Sequence, residues 1–160
     1  FNVAGADKNL RTGQIKKNVT HLISKLCKVA LSQKGIFEIY GTDYKTSDGT
    51  CVRDYIHVSD LVDAHVKSLE YIINGGESDI FNVGYGKGFS VLEVLQTFER
   101  IINKKLKVKF SQRRLGDAST IVSNNKKIIS KINWRPKFDK IDEILIDSYN
   151  WEKYKKSIIG

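Results

Sequence analysis

The chain has 160 residues, 41% of them apolar and 28% charged, which suits one globular domain whose core needs neither disulfide nor metal, since a chain near this size buries roughly two-thirds of its unfolded surface. Two cysteines, Cys27 and Cys51, stand at no zinc spacing and no apolar run approaches the roughly 18 to 20 residues of a membrane helix, so no metal and no membrane are expected and a reducing, cytoplasmic setting fits. The net charge of +9 comes mostly from dispersed lysines such as Lys16, Lys17, Lys104, Lys105, Lys126, Lys127, Lys155 and Lys156, the pattern of a solvated face, and no nucleic-acid-binding motif accompanies it.

The chain opens at Phe1 with FNVAGADKNLR, which lacks the basic start and apolar middle of a signal peptide. It contains no methionine, and on that ground reads as a piece of a longer product. From Thr20 to Leu31 the apolar residues Leu22, Ile23, Leu26, Cys27, Ala30 and Leu31 recur at helical spacing. IFEIY at 36–40 and CVRDYIHV at 51–58 read as strands, with the turn-rich GTDYKTSDGT between them. Ser59 or Asp60 is expected to cap a helix to about Ile73, with Asp60 and Asp63 facing the positive end of its dipole; Gly75 and Gly76 stop it.

DIFNV at 79–83 reads as a strand. After it GYGKG leads to Ser90, three residues before Glu93, which is a capping box. The following helix places Val91, Val94, Leu95, Phe98, Ile101 and Ile102 on one face. LKVKF at 106–110 alternates as a half-buried strand, Thr120–Val122 suits a short strand, and helical stretches at about 124–132 and 141–156 close the chain. The class is α/β, with a small mixed sheet and flanking helices.

Several motifs invite chemistry. Gly84, Gly86 and Gly88 lie between a strand and a helix, but the dinucleotide fingerprint spaces its glycines differently and needs an acid about 20 residues on, so a tight turn and capped helix are preferred. Tyr149 and Lys153 form the only Tyr-x-x-x-Lys, read here as a packing and snorkelling pair at a surface. His57, Asp60, Asp63 and His65 cluster in sequence; His65, on the apolar side with Leu61, Leu69 and Ile72, is expected to be partly buried and satisfied rather than a metal ligand. No serine has a matching histidine and acid at a spacing that supports a nucleophilic triad.

The arginines are more informative. Arg53 lies within a strand, where a long cation needs a partner, and Asp54 beside it points to the other face; something anionic should meet Arg53. Arg113, Arg114, Gly116 and Asp117 make a short loop carrying two guanidinium forks and a carboxylate, the parts that grip a phosphate and a sugar diol together.

Taken together, FNVAGAD, the THLI helix start, IYGTDYKTSDGTCVRDYIHVSDL, FNVGYGKGFSVLEV, RRLGD and INWRP resemble the C-terminal half of the UDP-glucose 4-epimerases. These are NAD-dependent members of the extended short-chain dehydrogenase/reductase group. The resemblance implies a sugar-nucleotide-binding C-terminal domain over 1–160, with the NAD fold, the catalytic serine or threonine and the catalytic Tyr-x-x-x-Lys lying upstream, so that no catalytic residue is assigned within this chain. It implies that Phe1 matches a residue beside the nicotinamide and Asn2 one that contacts the sugar nucleotide. His21 and Leu22 fall where backbone amides at a helix start hold the nucleotide. Glu38, Ile39 and Tyr40 match the strand along the uracil, with Tyr40 as the stacking aromatic; Arg53 and Arg114 match diphosphate ligands and Asp117 the ribose acceptor. Ile121 stands at the position that gates hexose size, and Ala118 where a proline usually follows the GD pair.

In a complete enzyme the resemblance implies interconversion of UDP-glucose and UDP-galactose: hydride passes from C4 to NAD, the 4-keto sugar rotates, and hydride returns to the other face. NAD is not expected to bind this chain alone, the partner is a UDP-sugar, and a homodimer of the complete enzyme is left open. The alternatives are another NAD-dependent sugar-nucleotide epimerase or dehydratase, or a noncatalytic remnant serving as a binding module.

Overall fold

A computed structural model describes residues 1–15 and 20–159; Lys16 and Lys17, named among the dispersed lysines, lie outside the described residues. The order is β1 (Asn2–Ala4), α1 (Leu22–Leu31), β2 (Ile36–Tyr40), β3 (Val52–His57), α2 (Val58–Ile73), β4 (Gly88–Ser90), α3 (Val91–Ile102), β5 (Lys107–Ser111), β6 (Thr120–Ile121), α4 (Lys126–Ile132) and α5 (Ile141–Ile159). The class is α/β, as the periodicities imply.

β3 organises the larger sheet. It pairs in parallel with β1 through Asn2 opposite Tyr55 and Ala4 opposite His57. It pairs antiparallel with β4 through Arg53 opposite Phe89, and in parallel with β6 through Arg53 opposite Ile121. β2 and β5 form a separate parallel pair, Ile36 opposite Lys107 through Tyr40 opposite Ser111; that separation into two sheets is not visible in the strand patterns.

The main core joins Ile23, Leu26 and Cys27 of α1, Phe37 and Ile39 of β2, Val94, Leu95 and Phe98 of α3, and Ile144 and Leu145 of α5. These positions are the helical and alternating repeats of the sequence turned inward. A smaller cluster gathers Ile56, Ala64, Ile128 and Trp134. Cys27 and Cys51 are both buried free thiols, and burial pushes the Cys27 thiol up to about 12.

Three local expectations are corrected. Residues 79–83 form no strand: Phe81 and Val83 pack on the smaller cluster, and the amides that follow turn to a side chain, Tyr85 N–H and Gly86 N–H donating to the Asp54 carboxylate at 3.1 and 2.9 Å. The cap of α2 is His57, whose Nδ1 accepts from Ser59 N–H at 3.0 Å. Asp60 is instead buried, accepting from the Tyr85 hydroxyl at 2.6 Å and from the Lys137 and Phe138 amides at 2.9 Å. His65 is exposed, its Nδ1 2.7 Å from the Leu61 carbonyl, because Leu69 and Ile72 beside it also face outward.

Other elements match. The Ser90–Glu93 capping box forms in both directions, at 3.0 and 2.7 Å. Tyr149 packs edge-on against Phe98, and Lys153 lies over its ring. No helix among the described residues is long and apolar enough to cross a membrane.

Candidate functional site

Alternation along β3 decides where its charges go. Cys51, Arg53 and Tyr55 share one face and line a cleft of about 190 Å³. Asp54 turns to the other face, where it is fully buried and accepts from Ser123 N–H at 3.1 Å besides the two amides of the glycine turn. The backbone passes Asp54 so closely that a Cβ on Gly84 would lie 2.8 Å from its Oδ2 and 2.6 Å from the Ser123 hydroxyl. The glycine turn is therefore packed against protein and offers no cradle for a dinucleotide's phosphates.

The cleft brings together Asn2, His21, Leu22, Glu38, Ile39, Tyr40, Arg53, Arg114 and Asp117. These come from β1, the start of α1, β2, β3 and the loop between β5 and β6, as much as 115 positions apart in the chain (117 − 2). Phe1 and Ile121 are outside the cleft lining; Phe1 is half exposed, and Ile121 sits opposite Arg53 in the β3–β6 register.

The polar partners divide into engaged and available groups. Arg53 donates to the neighbouring Val52 carbonyl at 2.8 Å and meets no carboxylate at ion-pair distance among the described residues. A half-buried guanidinium in that situation is a ready anion ligand. Leu22 and the next amides begin α1, and the His21 side chain does not cap them, so their N–H groups and the helix dipole also favour an anion.

Asn2 is anchored through its amide to the Asp54 carbonyl at 3.3 Å. Glu38 takes the Tyr40 hydroxyl at 2.6 Å and the Ser111 hydroxyl at 2.5 Å, with Lys109 at 3.3 Å. The Ser111 bond first, and then the Tyr40 bond, hold its carboxyl at about 2; the same Glu38 bond pushes the Tyr40 phenol up. Arg114 lies over the Tyr40 ring at 4.8 Å and its Nε reaches Asp117 at 3.0 Å.

Not all of the basic loop joins the site. Arg113 pairs with Asp43 at 2.6 Å and stacks on Tyr44 at 4.2 Å. Cys51 and Tyr55 are cleft residues that no motif marks, although the two-residue strand period around Arg53 points to both. His21 also borders a wider cavity of about 790 Å³ beside β1. Its charges are already matched, Asp7 with Arg11 at 2.7 Å and Glu152 with Lys155 at 2.6 Å, so the smaller cleft is the one with a charge left to satisfy.

The sequence profile of the NAD dependent epimerase/dehydratase family matches residues 1–84. The chain belongs to that family. A UDP-glucose 4-epimerase of Azospirillum brasilense is 44% identical over all 160 residues, which make up 46% of that relative's own length. A crystal structure of a UDP-glucose 4-epimerase superposes with a TM-score of 0.93 at 40% identity, covering 98% of this chain and 47% of that one. The UDP-glucose 4-epimerase of Bifidobacterium longum in complex with NAD+ and UDP gives 0.90 at 33% identity over 98% of this chain and 46% of its own. This family member therefore spans about half the length of the relatives it matches.

Proposed function

We propose that residues 1–160 are the UDP-sugar-binding C-terminal domain of a UDP-glucose 4-epimerase. The observation that carries this is the half-buried Arg53 guanidinium, which shares its cleft with an aromatic platform, a second arginine and Asp117 but meets no carboxylate at ion-pair distance among the described residues. Similarity to UDP-glucose 4-epimerases, one of them solved with NAD+ and UDP, supports the same reading.

In it Tyr40 stacks the uracil, Arg53 and Arg114 hold the diphosphate with the amides at the start of α1, Asp117 accepts from the ribose hydroxyls, and Asn2 contacts the sugar nucleotide. Ile121, opposite Arg53, borders the hexose. NAD supplies the hydride acceptor in the relatives' chemistry, but the packed glycine turn does not fit it and only Phe1 is assigned beside its nicotinamide. Hydride and proton transfer at C4 therefore belong to residues outside this chain, and the residues here bind and orient.

The test is calorimetric titration with UDP at fixed salt. Arg53→Ala and Arg114→Ala should each weaken binding about tenfold or more, since a charge-assisted bond contributes on the order of 1.5 to 3 kcal/mol. Lys104→Ala and Lys107→Ala should change it little, and Arg114→Lys should recover only part because lysine lacks the fork. Equal losses from arginine and lysine changes would mean diffuse attraction and no specific site.

A further inference from the structure

Within the cleft, Arg114 is engaged by two neighbours that the functional reading assigns to a nucleotide. Its guanidinium lies 4.8 Å above the Tyr40 ring, the surface a base would stack on. Its Nε holds Asp117 at 3.0 Å, the carboxylate a ribose would use. Resting on that reading of the site, we propose that Arg114 competes with the nucleoside for Tyr40 and Asp117, so that a ligand binds by exchange and must carry a diphosphate to draw Arg114 away.

The neighbouring contacts decide which partner moves. The Tyr40 hydroxyl is tied to Glu38, and Glu38 in turn to Ser111 on the adjacent strand, at 2.6 and 2.5 Å. The ring is thus fixed at both ends, by its own strand backbone and by its hydroxyl. Arg114 sits in an exposed turn, with Leu115 fully in solvent and Gly116 at φ +83° with open space beside its Cα. Its side chain is 60% exposed, so the guanidinium can swing where the phenol cannot.

An exposed cation–π contact and an exposed ion pair are individually weak, and together they bias an equilibrium by roughly tenfold. A diphosphate offers Arg114 a stronger, doubly charged partner. Released by it, Asp117 is free to accept the ribose hydroxyls and Tyr40 to accept the base. A nucleoside without phosphates has to displace Arg114 with nothing to give it in return. The arginine therefore selects against nucleosides as well as binding diphosphates.

This makes opposite predictions for two ligands of one variant. In the full chain, Arg114→Ala should weaken UDP about tenfold or more and tighten uridine by roughly threefold to tenfold, read by calorimetry and by ligand-observed NMR. Arg114→Gln, which keeps length but not charge, should act in the same directions, and matching thermal melts show that both variants fold. Adding Tyr40→Ala to Arg114→Ala should abolish the gain for uridine. If Arg114→Ala weakens uridine or leaves it unchanged while UDP binds the unsubstituted chain, the exchange is overturned and the UDP site stands. If the unsubstituted chain does not bind UDP, the functional reading falls and the exchange with it.

Discussion

At the scale of single residues, two carboxylates do opposite work on two faces of the same molecule. Asp54 is fully buried and satisfies three amides from two loops. Asp54→Ala would leave those donors buried and unpaired, at about 1 to 3 kcal/mol for the first and less than additively thereafter. We expect a loss of about 3 kcal/mol in urea denaturation, with Gly84→Ala also destabilising because its methyl meets the same carboxylate and Ser123. Glu38 is accessible and acts through its charge. Its carboxyl sits at about 2 against an ordinary 4.5, so the folded form holds its proton less tightly than the unfolded chain. The stability it adds is complete above about pH 4.5 and is lost as pH falls towards 2. Glu38→Gln should flatten that part of the acid-unfolding profile relative to the unsubstituted chain and leave the melt at neutral pH with only a constant offset.

At the scale of elements, what the sequence discloses depends on how far away the deciding partner lies. The two ends of the α3 capping box, Ser90 and Glu93, are only three positions apart, so it is fully readable; Ser90→Ala should cost about 1 kcal/mol of stability. The α1 repeat and the alternation of β2 are equally local. The cap of α2 is not, because Ser59 and Asp60 both have the right chemistry, and Asp60 is drawn inward by the Lys137 and Phe138 amides, 77 and 78 positions away. Asp79–Val83 has the composition of a strand, yet its continuation spends its amides on Asp54, more than 30 positions back. The site follows the same rule. Arg53 stands out locally as a cation in a strand, whereas the separation of Arg113 from Arg114 depends on Asp43, 70 positions earlier. The roles given to Phe1, His21 and Ile121 come from resemblance, since no local pattern marks them.

At the scale of the whole molecule, an apolar surface stands out along one helix. Val62, Val66, Leu69 and Ile73 recur along one face of α2 and are each at least half exposed, a continuous apolar stripe of the kind that monomeric proteins seldom leave in water. We expect the 160-residue chain to bind a hydrophobic dye and to self-associate with rising concentration. Val66→Lys with Leu69→Lys should suppress both, in fluorescence and sedimentation measurements, without lowering the melting temperature. A monomer indifferent to concentration, with no dye binding and a sharp melt, is the result that contradicts this.

The alternation of β3 also bears on how this chain can vary over time. Arg53 and Asp54 are adjacent, one in the cleft and the other sealed beneath the glycine turn, and a strand has only two faces. Inserting one residue between Val52 and Arg53, or deleting Val52, would exchange them, setting a carboxylate in the cleft where the proposed site needs a cation and a guanidinium where three amides need an acceptor. Length changes are therefore barred from this strand for reasons of charge as well as packing.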